Sequence, residues 1–278
     1  NLIKNVIFSP RANLRYNPTE NINLRANYSY GFRAPQAFDE DLHIDNVGGT
    51  VSMIRLAENL GVEKSQSVSI SADMYHSWGD WQGNLLVEGF YTDLSDVFAL
   101  TEIGVEDGVL IKERRNESGA RVFGGNLEGK LAYRSIWQIQ AGMTLQKSDY
   151  KEAHAWAEDV EAVTTMFRTP NLYGYFVTSY NPLKQLMLSL SGTYTGRMLV
   201  EHHAGWIDAN RTERTPDFFD MNFKAAYDFR LHGNIKLQLN AGVQNIFNAF
   251  QRDFDQGPDR DSGYIYGPSA PRSFYLGI

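Results

Sequence analysis

The stretch Ile235-Lys-Leu-Gln-Leu-Asn-Ala-Gly-Val-Gln244 decides the fold class. Ile235, Leu237, Leu239, Ala241 and Val243 share one parity, while Lys236, Gln238, Asn240, Gly242 and Gln244 take the other. A period of two sends alternate side chains to opposite faces of a strand, here one apolar and one polar. The pattern repeats outward along the chain. Trp137, Ile139, Ala141, Met143 and Leu145 oppose Gln138, Gln140, Gly142, Thr144 and Gln146, and Leu186, Leu188, Leu190 and Tyr194 oppose Met187, Ser189, Ser191, Thr193 and Thr195. Phe219, Met221, Phe223, Ala225, Tyr227 and Phe229 share a parity, as do Ile22, Leu24, Ala26, Tyr28 and Tyr30. Val68, Ile70, Ala72 and Met74 make another such row, and Phe123, Leu127, Leu131 and Tyr133 a further one. No charge interrupts any of these rows. Two segments are weaker: the row of Leu85, Val87 and Tyr91 fails at Asp93, and in 171–180 both parities carry apolar residues.

About eleven strands follow, over 6–16, 21–31, 64–78, 84–100, 119–133, 136–148, 170–181, 185–200, 217–230, 234–247 and 271–278. Short turns (17–20, 79–83, 134–135, 181–184, 231–233) alternate with long connections (32–63, 101–118, 149–169, 201–216, 248–270). Several strands exceed the usual length of about 5–6 residues and reach the roughly 9–11 of a tilted membrane strand. Short turns on one rim and long loops on the other make the layout of an antiparallel transmembrane β-barrel, loops outside and turns in the periplasm. Tyr16, Trp78, Trp81, Tyr133, Trp137 and Phe229 flank the short-turn rim, as interfacial aromatics do. A soluble β-rich binding module is the competing reading; it would bury the apolar rows against a second sheet.

Composition narrows the function. The chain has 278 residues, 42 % hydrophobic, with 26 Lys+Arg against 33 Asp+Glu, a net charge of -7 and no Cys. Disulfides and Cys-based metal sites or nucleophiles are thereby excluded, and the acidic balance speaks against a nucleic-acid partner. No apolar run is long enough for a membrane helix. No G-x-S-x-G, H-E-x-x-H or Walker A pattern occurs, so no enzyme and no resident cofactor are expected. An odd strand count and a start at Asn1 without a signal-type stretch suggest a cut chain.

Four motifs carry a resemblance. Ser9-Pro-Arg-Ala-Asn-Leu-Arg-Tyr-Asn-Pro18, running on to Gly31-Phe-Arg-Ala-Pro35, is similar to the "SPR…Y.P….LR..Y..GFRAP" signature of TonB-dependent outer-membrane receptors. Glu63-Lys-Ser-Gln-Ser67 is similar to that family's "PE.S" segment, Gly242-Val-Gln-Asn-Ile-Phe-Asn248 to its "V.NLFN" strand, and Pro271-Arg-Ser-Phe-Tyr-Leu-Gly277 to its closing "PR.FYLG" strand. The resemblance implies that residues 1–278 are the C-terminal half of a 22-stranded barrel, with the plug domain and first half absent. It further implies a monomeric receptor of the Gram-negative outer membrane, in contact with lipid. Such a receptor imports a scarce, bulky nutrient, energised by the TonB complex through N-terminal regions not present here. An iron–siderophore complex or cobalamin is the expected ligand, with haem the alternative; a passive porin or adhesin barrel fits the motifs less well.

Site residues follow from the same frame. Arg11, Arg15, Arg25, Asp73, Glu88, Glu128, Lys130, Lys224, Asp228, Arg230 and Lys236 fall on the polar parity, expected to face the plug or lumen, and Arg33 would brace plug or loop. In the long loops His43, Trp156, His202 and His203 are candidate ligand contacts. His43 lies after the FRAP stretch, as in haem receptors of the family, but the companion "NPNL" box is matched only by Asn59-Leu60. Asp253, Asp255, Asp259 and Asp261 are weak candidates for a hard cation such as Ca²⁺. The spacing of Met53, Ile54, Ala57 and Leu60 predicts a short helix, and that of Trp156, Val160 and Val163 a second over 152–163.

Overall fold

Alternation of apolar and polar residues converts directly into strands. The computed structural model describes residues 7–35, 52–157, 159–231, 233 and 235–278. Its first seven strands are β1 (Arg11–Thr19), β2 (Ile22–Arg33), β3 (Ser52–Leu56), β4 (Glu63–Trp78), β5 (Trp81–Ser95), β6 (Val97–Glu106) and β7 (Val109–Glu117). Then come β8 (Ala120–Tyr133), β9 (Trp137–His154), β10 (Val163–Thr165), β11 (Leu172–Leu183) and β12 (Leu186–Thr195). The last five are β13 (Leu199–His202), β14 (Arg211–Arg214), β15 (Phe218–Arg230), β16 (Lys236–Gln244) and β17 (Ser273–Gly277).

Eleven of these form one antiparallel path, β1-β2-β4-β5-β8-β9-β11-β12-β15-β16-β17, with β10 paired to β9 alongside it. These are the eleven strands that alternation predicts, in order. The expected closed barrel is not formed. Among the described residues β1 pairs only with β2 and β17 only with β16, so the sheet does not close on itself.

Two predicted strands break where the backbone turns. Asp96 at φ 57° separates β5 from β6 within 84–100, and residues 196–198 separate β12 from β13 within 185–200. The two predicted helices are absent. Met53 and Ile54 lie in β3, which pairs in parallel with β7, and β6 joins them in a three-stranded sheet. Residues 152–154 continue β9. Both apolar spacings were too short to outweigh a neighbouring strand's ladder.

Register keeps each apolar row on one face across the whole path. Tyr28 meets Val68, Val68 meets Tyr91, Tyr91 meets Phe123, and on β12 to β17 Leu190, Phe223, Val243 and Phe274 follow in succession. At the short-turn rim Trp78, Trp81, Tyr133, Trp137 and Tyr180 form one cross-strand row of aromatics. The Trp81 ring lies 4.8 Å from Tyr133 and 5.9 Å from Trp137. At the far rim the same face turns charged, with Asp93 opposite Arg121 and Arg121 opposite Asp149. Between those limits the apolar stretch runs from Trp137 to Leu145 on β9 and from Trp81 to Tyr91 on β5. Such stretches match the hydrocarbon span of a tilted strand, about 9–11 residues. No second sheet covers this face among the described residues, and Ile70, Leu145 and Leu276 are 65, 61 and 80 % exposed. The competing sandwich reading requires a second sheet on this face, and the described residues supply none.

Glycines seat aromatic rings where strands approach. A Cβ on Gly192 would intrude on the rings of Phe176, its cross-strand partner on β11, and Phe219, a diagonal neighbour on β15. Gly192→Val is therefore expected to overpack the apolar face at a cost of roughly 1–3 kcal/mol. Thermal melting followed by circular dichroism should show a lower midpoint than for the parent protein.

Candidate functional site

The polar parity forms the second face of the sheet. Arg11, Arg15, Arg25, Asp73, Glu88, Glu128, Lys130, Lys224, Asp228, Arg230 and Lys236 all lie on it by register, and Arg33 ends the same row of β2. The middle of this face is a chain of hydrogen bonds. Asn84 Nδ2 donates to Asp73 Oδ1 at 2.6 Å, and the Tyr75 hydroxyl to Asp73 Oδ2 at 2.9 Å. Asn126 Nδ2 donates to Glu88 Oε1 at 3.0 Å, and its Oδ1 accepts from the Thr144 hydroxyl at 2.8 Å. Glu128 receives the Tyr175 hydroxyl at 2.6 Å and lies 3.1 Å from Lys130 Nζ. These groups hold one another in place, so this stretch of wall is polar yet internally paired.

The ends differ. Arg15 and Arg25 are direct cross-strand partners, a like-charge pair that disfavours the ladder by itself. They donate to the amide oxygens of Asn17 and Asn23, at 3.1 and 2.7 Å. Arg230 opposite Lys236 repeats the situation near the other edge. Arg33 stands 5.7 Å from the centroid of Phe98.

The long connections of the second half join into one cluster. Asn245, 3 % exposed, clips the base of the last loop by donating to the carbonyls of Ala249 at 3.0 Å and Ala270 at 2.9 Å. Its own oxygen accepts the Ala249 N–H, and Asn248 Oδ1 accepts the Arg272 N–H. These are the two asparagines of the Gln-Asn-Ile-Phe-Asn stretch, and they staple both ends of 248–270. Tyr264 and Tyr266 of that loop join Val200 of β13 and Phe218 of β15 in a small apolar core, with Met198 and Ala249 at its margin.

His202 and Asp255 form a buried pair beside that core. Their side chains are 4 and 1 % exposed, with Nε2 and Oδ1 3.0 Å apart, and the His202 ring stacks on Tyr264 at 3.6 Å. Asp255 also accepts the Asp261 N–H at 2.9 Å, and Asp261 accepts the N–H groups of His203 and Gly263, both at 2.8 Å. Asp253 accepts the hydroxyls of Tyr264 and Tyr266. Burial raises the Asp253 carboxyl, but the two phenols outweigh it and hold the group below the ordinary carboxylate range. Burial, followed by the bond to Asp253, pushes the Tyr264 phenol upward and that of Tyr266 up to about 12. Asp253 thus contributes stability above its unfolded value, lost as acid protonates it, and the tyrosines contribute below theirs, lost only as strong base ionises them. The cluster is intact throughout the neutral range.

The sequence-predicted contacts are therefore only partly brought together. Trp156 lies against His203, rings 4.7 Å apart, and donates to Thr212 Oγ1 at 3.0 Å. His202 is buried and already bonded. His43 lies outside the described residues. Asp253, Asp255 and Asp261 are occupied by loop hydrogen bonds, and the exposed Asp259 takes no part in them. Among the described residues no group of three or more His, Cys, Asp or Glu side chains is placed to hold a metal. Sequence reasoning missed Arg168, which at φ 55° reaches the carbonyls of Gly263 and Ile265 and ties the 155–171 connection to the last loop. It also missed Tyr264 and Tyr266, although the run Gly263-Tyr-Ile-Tyr-Gly267 signalled a turn with two like-facing rings.

Two outcomes test this account. Asn245→Ala leaves the Ala270 carbonyl and the Ala249 N–H without their partner, at roughly 1–3 kcal/mol per buried group; limited proteolysis should cut within 248–270 at least tenfold faster. Asp253→Asn removes the charge that holds Tyr266 protonated. Absorbance titration of tyrosinate should then show one phenol ionising at lower pH than in the parent protein.

Comparison with known proteins places this architecture. A family profile described as "TonB dependent receptor-like, beta-barrel" matches residues 4–246. Among curated proteins no sequence matches. Among solved structures, the ferric enterobactin receptor PfeA of Pseudomonas aeruginosa, as its R480A mutant with enterobactin, is similar at TM-score 0.65 and 19 % identity, over 96 % of this chain and 40 % of that one. The siderophore receptor PirA of Acinetobacter baumannii gives 0.63 at 14 % identity, over 96 and 40 %. The FrpB iron transporter of Neisseria meningitidis gives 0.60 at 18 %, over 96 and 38 %. The chain thus spans about two fifths of the length of these structures, and at such identity they speak to fold alone. Since the profile takes in most of the chain, the protein belongs to the TonB-dependent receptor-like β-barrel family.

Proposed function

We propose that residues 1–278 form the C-terminal portion of the β-barrel domain of an import receptor, the plug domain and the preceding strands lying elsewhere in a longer chain. The outer edges of β1 and β17, unpaired among the described residues, support this reading, because unpaired backbone groups in hydrocarbon cost several kcal/mol each. The polar face then looks toward the plug. Arg15 beside Arg25, and Arg230 beside Lys236, have their natural counter-charges there. Energy for import reaches the receptor from the TonB complex through the N-terminal regions, and the apolar face meets outer-membrane lipid.

For the cargo we favour an iron–siderophore complex over cobalamin. The observation that carries this choice over haem is the burial of His202 against Asp255, which withdraws an imidazole from iron. Two of the similar structures, a ferric enterobactin receptor and a siderophore receptor, agree. Trp156 and His203, which meet edge-to-face in the loops, remain the candidate contacts. Ferric catecholate siderophore, cobalamin and haem should be compared side by side for binding to the full-length protein by fluorescence quenching. Saturable binding of the ferric siderophore, weakened about tenfold or more by Trp156→Ala, is expected. Haem binding abolished by His43→Ala would overturn the assignment.

A further inference from the structure

The apolar face is not evenly filled. Along one cross-strand row Ile70 faces Gly89, Gly89 faces Gly125, and Gly125 faces Leu145. Two adjacent positions without side chains leave a gap about 10 Å wide, two strand spacings, in an otherwise bulky surface. Val68, Tyr91 and Phe123 wall it on one side, and the concavity encloses about 920 Å³. Ile70 and Leu145, its flanking residues, are 65 and 61 % exposed because no side chain reaches them from the glycines. Internal packing does not require the gap at Gly89, since a Cβ built there meets nothing within 4 Å. At Gly125 a Cβ would stand 3.3 Å from the Glu88 carbonyl oxygen, so that glycine has a local reason; glycine weakens a strand interior, so the unforced Gly89 beside it marks a place left open for something else.

What lies beside the gap identifies the occupant. One row toward the loop rim, about 7 Å along the strands, Lys147 follows Phe123; one row further stands Arg121, between Asp93 and Asp149. Lys147 pairs with Asp149 at 2.6 Å, Arg121 with Asp93 at 3.3 Å, and Lys151 with Asp93 at 2.6 Å. Three cations thus share two carboxylates, leaving one positive charge in excess at headgroup depth. The Lys147 and Arg121 side chains are 62 and 58 % exposed. An apolar trough ending at a cationic ledge on the loop side suits a chain with an anionic head, in the outer leaflet.

We propose that this trough is a specific lipid site, holding an acyl chain of lipid A with a phosphate on Lys147 and Arg121. The inference rests on the reading that the apolar face meets lipid, and it goes further in assigning one lipid to one place. Gly89→Leu fills the trough without a clash. Gly129→Leu, on the same face two rows nearer the turn rim and equally unobstructed, is the control.

The full-length protein, delipidated in detergent, is titrated with lipid A, phosphatidylglycerol or phosphatidylcholine and retention is read by native mass spectrometry. Tryptophan quenching by brominated lipid, in reconstituted vesicles, reports separately whether the face meets lipid at all. One lipid A retained per protein is expected, reduced at least tenfold by Gly89→Leu and by Lys147→Gln with Arg121→Gln, and unchanged by Gly129→Leu. Quenching together with equal retention by parent and Gly89→Leu would sink the site while sparing the face. Absence of quenching would sink both. Preferential retention of phosphatidylglycerol, or equal retention of phosphatidylcholine, would also overturn the assignment to lipid A.

Discussion

Every strand of the wall obeys one constraint: its neighbour's register must bring like parities together. A slip of one residue between β8 and β9 would carry Gln138 and Gln140 to the apolar side and Trp137, Ile139 and Met143 to the polar side. On β15 or β16 the same slip would put Lys224, Arg230 or Lys236 against hydrocarbon, at about 2–4 kcal/mol for each Lys or Arg near the midplane. The penalty accumulates along a strand, so the two-faced surface fixes the pairing more firmly than any single contact. Short turns at 79–80 and 184–185 then set where each ladder starts.

The mouth depends on that wall in a different way. Among the described residues its loops bury one small apolar core, around Val200, Phe218, Tyr264 and Tyr266. The rest of their order is polar and anchored to wall residues or to each other: Asn245 at the base, Arg168 across the top, and Asp253, Asp255 and Asp261 within. Acidic residues that look like an ion cradle in the sequence act instead as acceptors for phenols and backbone N–H groups. An acidic loop can therefore be ordered by its own donors.

Alternation made the eleven wall strands legible, with their order and the division of charged residues between the faces. Lys130, Asp228 and Arg230 could be assigned to the polar face from parity alone, because a strand leaves a side chain only two directions. The mouth was opaque for the opposite reason. Met53 and Ile54 pair with Ile111 and Lys112, and no local pattern announces a partner so distant in sequence. His202 could be recognised as a titratable loop residue, but its burial depended on Asp255 and Tyr264 arriving from another loop. Closure of the sheet was misjudged because alternation counts strands without saying whether the first meets the last.

The parallel pairing of β3 with β7 bears on the order of assembly. β4, β5 and β6 all lie between these two strands in sequence, so their ladder closes a loop containing a whole hairpin of the wall. Contacts of such separation carry a larger entropic cost of closure and form late. The β4–β5 hairpin is local, held by a two-residue turn, and needs no such closure. The β6–β7 hairpin is local in the same way, so it is β3 alone that must await β4 and β5 before residues 52–56 come within reach of 109–117.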